Sequence, residues 1–198
     1  MGLDLQYNPG QTPLDEDEID GLLIGSIATR AELDEFEQQN IEQAIQWALT
    51  RSFKKEQILT EKFVKSLHQR MYGDVWAWAG KFRTTEKNIG IKKWMIPTEL
   101  RHLLDDILYW TKYDTYPPDE IALRFKHRIV SIHCFPNGNG RHSRLMADII
   151  IDKIFKRPVF TWGMDNLVQQ GDARLDYLAA VRSADAGNID LLKAFARS

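Results

Sequence analysis

His133-Cys134-Phe135-Pro136-Asn137-Gly138-Asn139-Gly140-Arg141-His142-Ser143-Arg144 joins a titratable imidazole, a Gly-Asn-Gly turn and two arginines in one short run. On its N-terminal side, Pro118 to Ile132 carries Ile121, Ala122, Phe125, Ile129 and Ile132 at the spacing of one buried helical face. His133 therefore closes a helix. On the other side, Arg141 to Phe155 places Leu145, Met146, Ile149, Ile150 and Phe155 densely enough for a central, largely buried helix. A turn at the start of such a helix offers unpaired backbone N–H groups and the positive end of the helix dipole, which favour an anion. Gly138 and Gly140 let the backbone curl and a ligand approach. Arg141 and Arg144, three apart, share a helical face and can both reach a polyphosphate. His133, with an ordinary pKa of ~6.5, can accept a proton from a hydroxyl at neutral pH and is the candidate general base.

The run resembles the signature of the Fic (Fido) family, H-x-F-x-[D/E]-G-N-G-R-x-x-R, matching at His133, Phe135, Gly138, Asn139, Gly140, Arg141 and Arg144. Leu67-His68, Gly73 to Gly80, Phe82-Arg83-Thr84 and Asn88-Ile89-Gly90 are similar to family segments that precede the active site. Within the family the chain most resembles the small bacterial group called mobile mystery protein B. The resemblance implies a protein adenylyltransferase that moves AMP from ATP to a Ser, Thr or Tyr hydroxyl of a target protein. In it, His133 is the base, Gly138, Asn139, Gly140, Arg141 and Arg144 bind the nucleotide, and Asn139 with the turn amides holds the α-phosphate. Asn88, Ile89 and Gly90 form the flap on which the target docks by strand addition.

Asn137 departs from the signature, because the family places there an acidic residue that holds Mg²⁺ against the phosphates. A neutral amide oxygen is a far weaker ligand for a hard dication than a carboxylate, so the Mg²⁺ implied by the resemblance has a weakened ligand. Two other readings follow: a nucleotide-binding regulatory module without efficient turnover, and an enzyme of the same fold with phosphate-transfer or de-AMPylation chemistry. The resemblance also implies a toxin role with an antitoxin or helix-turn-helix partner.

Many Fic proteins carry a restraining helix with the pattern [S/T]-x-x-x-E-[G/N], whose glutamate pairs with the second signature arginine. The nearest approach here is Leu33-Asp34-Glu35-Phe36-Glu37-Gln38, so Glu37 is the candidate inhibitor of Arg144, and a solvated helix residue is the plain alternative. That helix runs from about Arg30 to Thr50, opened by the capping box Thr29 to Glu32. Thr60 caps another, with Phe63, Val64, Leu67 and Met71 facing a core and Gly73 ending it. Pro97-Thr98 starts a third, and Gly171-Asp172 caps a final pair with Leu175, Leu178 and Val181 in one apolar row. Phe82 to Ile96 has no helical face and reads as a short β-hairpin. The expected fold is all-α, seven or eight helices with one hairpin flap, divided into an acidic arm over 1–28 and a single globular domain over 29–198.

Within the arm, the run from Asp15 to Glu18 reads as a solvated face, with a partner-binding tail as the alternative. The 198 residues carry a formal charge of −2, and the isoelectric point near 6.2 gives no electrostatic case for nucleic acid or an anionic membrane. No run approaches the ~20 apolar residues of a membrane span, and the start lacks a signal segment. Cys134 is the only cysteine, which excludes an internal disulfide and fits a cytoplasmic setting. Beside the proposed base it reads as a packing residue, with a nucleophile as the alternative. His68, His102 and His127 lack the close spacing of a metal site and read as surface or satisfied core side chains.

Overall fold

The computed structural model describes residues 13–163 and 172–198. The Gly171 cap lies outside them. Among the described residues there are nine α-helices: α1 (Glu16–Ile19), α2 (Arg30–Thr50), α3 (Lys55–Ile58), α4 (Glu61–Tyr72), α5 (Ile96–Tyr113), α6 (Pro118–Ile132), α7 (Asn139–Ile149), α8 (Asp172–Asp185) and α9 (Asp190–Arg197). The all-α expectation stands.

Local chemistry sets the ends. The Thr29 hydroxyl accepts from the Glu32 amide at 3.3 Å while the Glu32 carboxylate accepts from the Thr29 amide at 3.0 Å, the reciprocal capping box that starts α2. Thr60 accepts from the Phe63 amide at 3.1 Å and starts α4. Proline occupies the first turns of α5 and α6, where its missing N–H costs nothing. The central segment differs in form from the single helix expected: α7 begins two residues earlier and widens into a π-helical turn over Ile150–Ile154 before Lys156, at φ 55°, ends it.

α7 is the axis of the fold. It packs against α6 on one side and α4 on another, α2 lies across α4 and touches α7, and α5 covers α6. Leu145, Met146, Ala147 and Ile149 are all buried, so α7 has apolar surface nearly all round. The C-terminal pair, α8 and α9, packs together and meets α6 through α9. In α8 the inward row is Tyr177, Ala180, Val181 and Ala184 rather than the expected one, and Leu175 is 64% exposed.

The expected hairpin is not formed. Residues 82–92 are a loop closed by a 3₁₀ turn at Lys93–Met95, with no strand assigned in it, and an isolated bridge joins Leu22 to Trp76 elsewhere. Arg83 is the physical reason. Its buried guanidinium donates to the carbonyls of Thr85 and Ile91, groups that a hairpin would have used across its own ladder. No helix among the described residues is long and apolar enough to cross a membrane.

Candidate functional site

The loop from α6 to α7 is built from its backbone outward. His133 caps α6 in the left-handed region, at φ 57° and ψ 62°, with its amide on the Ile129 carbonyl. Arg83 Nε donates to the His133 carbonyl at 2.7 Å, and the Arg83 amide donates to the Cys134 carbonyl at 2.9 Å. The Asn139 side chain accepts from the Phe135 amide at 2.9 Å and donates to the Phe135 carbonyl at 2.7 Å. Its amide group therefore braces the loop, which leaves the backbone N–H groups of Asn139, Gly140 and Arg141, without an intrahelical acceptor, as the donors at the start of α7. Gly138 starts α7 at φ 76°, and a Cβ there would lie 2.5 Å from the Tyr72 ring. A Cβ on Gly140 would meet nothing within 4 Å, so the start of the helix is open to a ligand.

Three residues that the sequence did not mark for the site hold this loop. The His68 ring stacks on Phe135 at 3.7 Å, donates from Nε2 to the Asn137 carbonyl and accepts at Nδ1 from the Gly80 amide, each at 3.0 Å. That pattern fixes its neutral tautomer. Tyr72 walls the turn, and Arg83 ties it to the flap. His142, inside the signature, reaches the Val64 carbonyl at 3.0 Å and fastens α7 to α4. The outlying His102 sits beside Glu99, while His127 bonds Asp185.

The electrostatics keep the candidate base unprotonated. Burial, then the nearby Arg83 and Lys87 charges, pushes the His133 imidazole down to about 4, so it is neutral and able to accept a proton at pH 7. Burial pushes the Cys134 thiol up to about 12, which removes the thiolate-nucleophile alternative. Gly90, at φ 90°, crosses directly over the base: a Cβ there would be 2.5 Å from the His133 Cβ. Asn88, Ile89 and Gly90 are all exposed, and through Gly90 the structure brings the expected flap against the expected base.

Glu37 requires a correction. It is not a solvated residue, since its side chain is 4% exposed, and its partner is Arg141 rather than Arg144. Glu37 Oε2 lies 2.7 Å from Arg141 Nη2, while Oε1 accepts from Trp76 Nε1 at 2.7 Å. The indole fixes the carboxylate over the first turn of α7, within reach of the first arginine. Burial opposes the Arg141 charge, but Tyr72 and Glu37 more than offset it and hold its pKa above the ordinary value. Arg144 lies over the Tyr177 ring at 5.6 Å and, among the described residues, makes no ion pair.

The protein offers Mg²⁺ at most a weak ligand at this position: the Asn137 amide oxygen is neutral and already accepts from the Gly138 N–H at 2.6 Å. Among the described residues no three His, Cys, Asp or Glu side chains gather to hold a metal by themselves.

His133 and His142 are both held near 4, and His68 well below its usual value, chiefly by burial. The native state thus binds fewer protons than the unfolded chain. Stability from these groups is fully present above about 6.5 and is lost as pH falls through about 4, by up to about 3 kcal/mol for each of His133 and His142. The expected result is a urea midpoint that drops steadily between pH 6.5 and 4.5, with a shallower slope in His142→Gln. A midpoint constant across that range contradicts the assignment.

Residues 58–151 match the model of the Fic/DOC family. Protein adenylyltransferase fic-1 of Caenorhabditis elegans is 26% identical over 130 residues, and that of Caenorhabditis briggsae 25%; each match covers 64% of this chain and 24% of the relative. The chain thus spans about a quarter of the length of these curated relatives. Among solved structures, C. elegans Fic-1 superposes with a TM-score of 0.63 at 22% identity, over 90% of this chain and 51% of that one. The Bartonella tribocorum effector BepC, solved with bound AMPPNP, gives 0.66 at 14% identity, over 92% and 97%. At these identities the two structures establish the fold.

Proposed function

As a member of the Fic/DOC family, this chain is, we propose, a protein adenylyltransferase that moves AMP from ATP to a Ser, Thr or Tyr hydroxyl of a target protein. One observation carries the reading: a buried, neutral His133 lies beneath the flap and beside the open N-terminus of α7. The turn amides at 139–141 and the Arg141 and Arg144 guanidinium groups bind the phosphates. An acceptor docked along 88–90 sets its hydroxyl before the imidazole. The hydroxyl proton passes to His133, the oxygen forms a bond to the α-phosphorus, and the bond from that phosphorus to the β-phosphate oxygen breaks, releasing pyrophosphate. Catalysis is positioning plus charge stabilisation by the amides and arginines. No step is assigned to Mg²⁺, given how the Asn137 oxygen is used.

Glu37 is the restraint in this reading, because Arg141 must exchange a carboxylate for phosphate before it can bind the nucleotide. The likeness to the mobile mystery protein B group supports a toxin-like role with a helix-turn-helix antitoxin as partner, and the free, buried Cys134 thiol suits a cytoplasmic setting. A second reading, a nucleotide-binding regulator without turnover, is favoured by the committed Asn137 amide.

Incubation with ATP labelled at the α- or the γ-phosphate separates these. The expected result is protein-bound label from the α position alone. Label from γ supports phosphate transfer instead, and bound nucleotide with no protein label supports the regulator.

A further inference from the structure

The flap has no β ladder, so its shape must be fixed from outside. Arg83 holds its inner side. Its outer side is held by the N-terminal segment, through a set of contacts that converge on Glu18.

Glu18 is buried and its carboxylate is fully used. Oε1 accepts from the Thr85 hydroxyl at 2.7 Å, and Oε2 accepts from the Asp15 amide at 2.9 Å and pairs with the Lys87 ammonium. Lys87 in turn donates to Asp15 Oδ2 at 3.0 Å and to the Pro13 carbonyl at 3.2 Å, and its side chain is 4% exposed. A buried, doubly paired lysine is a fixed point rather than a solvated charge. Asn88, Ile89 and Gly90 follow it directly in the chain. Those three residues run between Lys87 and the Arg83 contact at Ile91, and the last of them, Gly90, lies against His133.

The segment carrying Glu18 is itself anchored. Leu23 donates to the Val75 carbonyl and Ala77 to the Gly21 carbonyl, each at 2.8 Å, around the Leu22–Trp76 bridge. Trp78 Nε1 donates to the Glu18 carbonyl at 2.9 Å, and a Cβ on Gly21 would lie 2.7 Å from the Trp78 ring. Leu14 and Ile27 are buried in the core at either end. Of the acidic run, Asp15, Glu16 and Asp17 are exposed as a solvated face requires, while Glu18 points inward to the flap.

We propose that residues 13–28 are a working part of the acceptor site and that Glu18 is a positioning residue: it fixes Thr85 and Lys87, and thereby sets the height of Asn88–Gly90 over His133. The proposal rests on the AMP-transfer reading. Water can attack the α-phosphorus from His133 without the flap, whereas a protein hydroxyl has to be presented by it. The two acceptors therefore respond differently to a loosened flap.

The test uses the full chain with ATP, itself as protein acceptor, in the wild type, Glu18→Ala and Glu18→Gln. Self-modification is expected to fall at least about tenfold in Glu18→Ala and less in Glu18→Gln, which keeps an acceptor for Thr85. Release of free AMP by water is expected to stay within about twofold of wild type, as is the dissociation constant for ATP. Equal losses in both reactions, or no loss in either, overturn the proposal. Amide hydrogen exchange over 84–90 supplies a readout independent of the chemistry: faster exchange in Glu18→Ala supports it, and unchanged exchange overturns it. If the wild type forms neither product, the AMP-transfer reading fails, and the exchange result alone decides whether this segment holds the flap.

Discussion

Replacing His133 by alanine is expected to lower AMP transfer by about a thousandfold or more, while the dissociation constant for ATP stays within about twofold. The imidazole is buried and held near 4, so it is in its proton-accepting form throughout the neutral range. Its own carbonyl, bonded by Arg83, fixes the ring at the lip of the turn. The groups proposed to bind the phosphates lie in the first turn of α7, in its amides and in Arg141 and Arg144, and none of them depends on the imidazole. The low pKa adds a pH signature. Transfer by the wild type should be level from about pH 8 to about pH 5.5, without the fall near 6.5 that an ordinary histidine base gives. Calorimetry for ATP and initial rates across that range check both halves. An alanine variant that keeps the wild-type rate removes His133 from the role of base.

Replacing Glu37 by glycine is expected to raise transfer by about tenfold or more and to tighten ATP binding by a similar factor. In the wild type the Arg141 guanidinium is already engaged at 2.7 Å by a carboxylate that is itself almost fully buried and fixed by Trp76. A phosphate must displace that carboxylate, and the displaced charge has no solvent to enter. Removal of the carboxylate leaves Arg141 for the nucleotide, and Arg141 keeps a foothold over the Tyr72 ring at 5.2 Å. The change also strands the Trp76 N–H and puts glycine into α2, so the variant should lose about 1–3 kcal/mol of stability. Glu37→Gln retains an acceptor for the indole while removing the charge, and should show the gain in binding with less of the loss in stability. Unchanged ATP affinity in both variants makes Glu37 a packing residue only.

Much of this was legible locally. Thr29 and Thr60 announce a helix start through their side-chain hydroxyls, Pro97 and Pro118 through their fixed backbone, and each does so in the structure. The signature run gave the turn, its left-handed glycine and the helix beyond it, because those depend on neighbours in sequence. What sequence did not yield depends on partners far along the chain. The flap lost its expected hairpin to one arginine that gathers carbonyls from three separate places. His68 reads as an ordinary core histidine until Phe135 is found stacked upon it. Glu37 was picked out by a partial pattern, yet its partner was set by the way α2 crosses α4 and by the Trp76 indole, neither of which leaves a periodic trace. Glu18 lay within an acidic run whose other members are solvent-exposed, and only the fold separates it from them.

The most direct measurement is the intact mass of Glu37→Gly after incubation with ATP, beside a double variant that also carries His133→Ala. An AMP-sized gain is expected in the first and none in the second. A phosphate-sized gain, or an AMP-sized gain that persists without His133, contradicts the proposed mechanism.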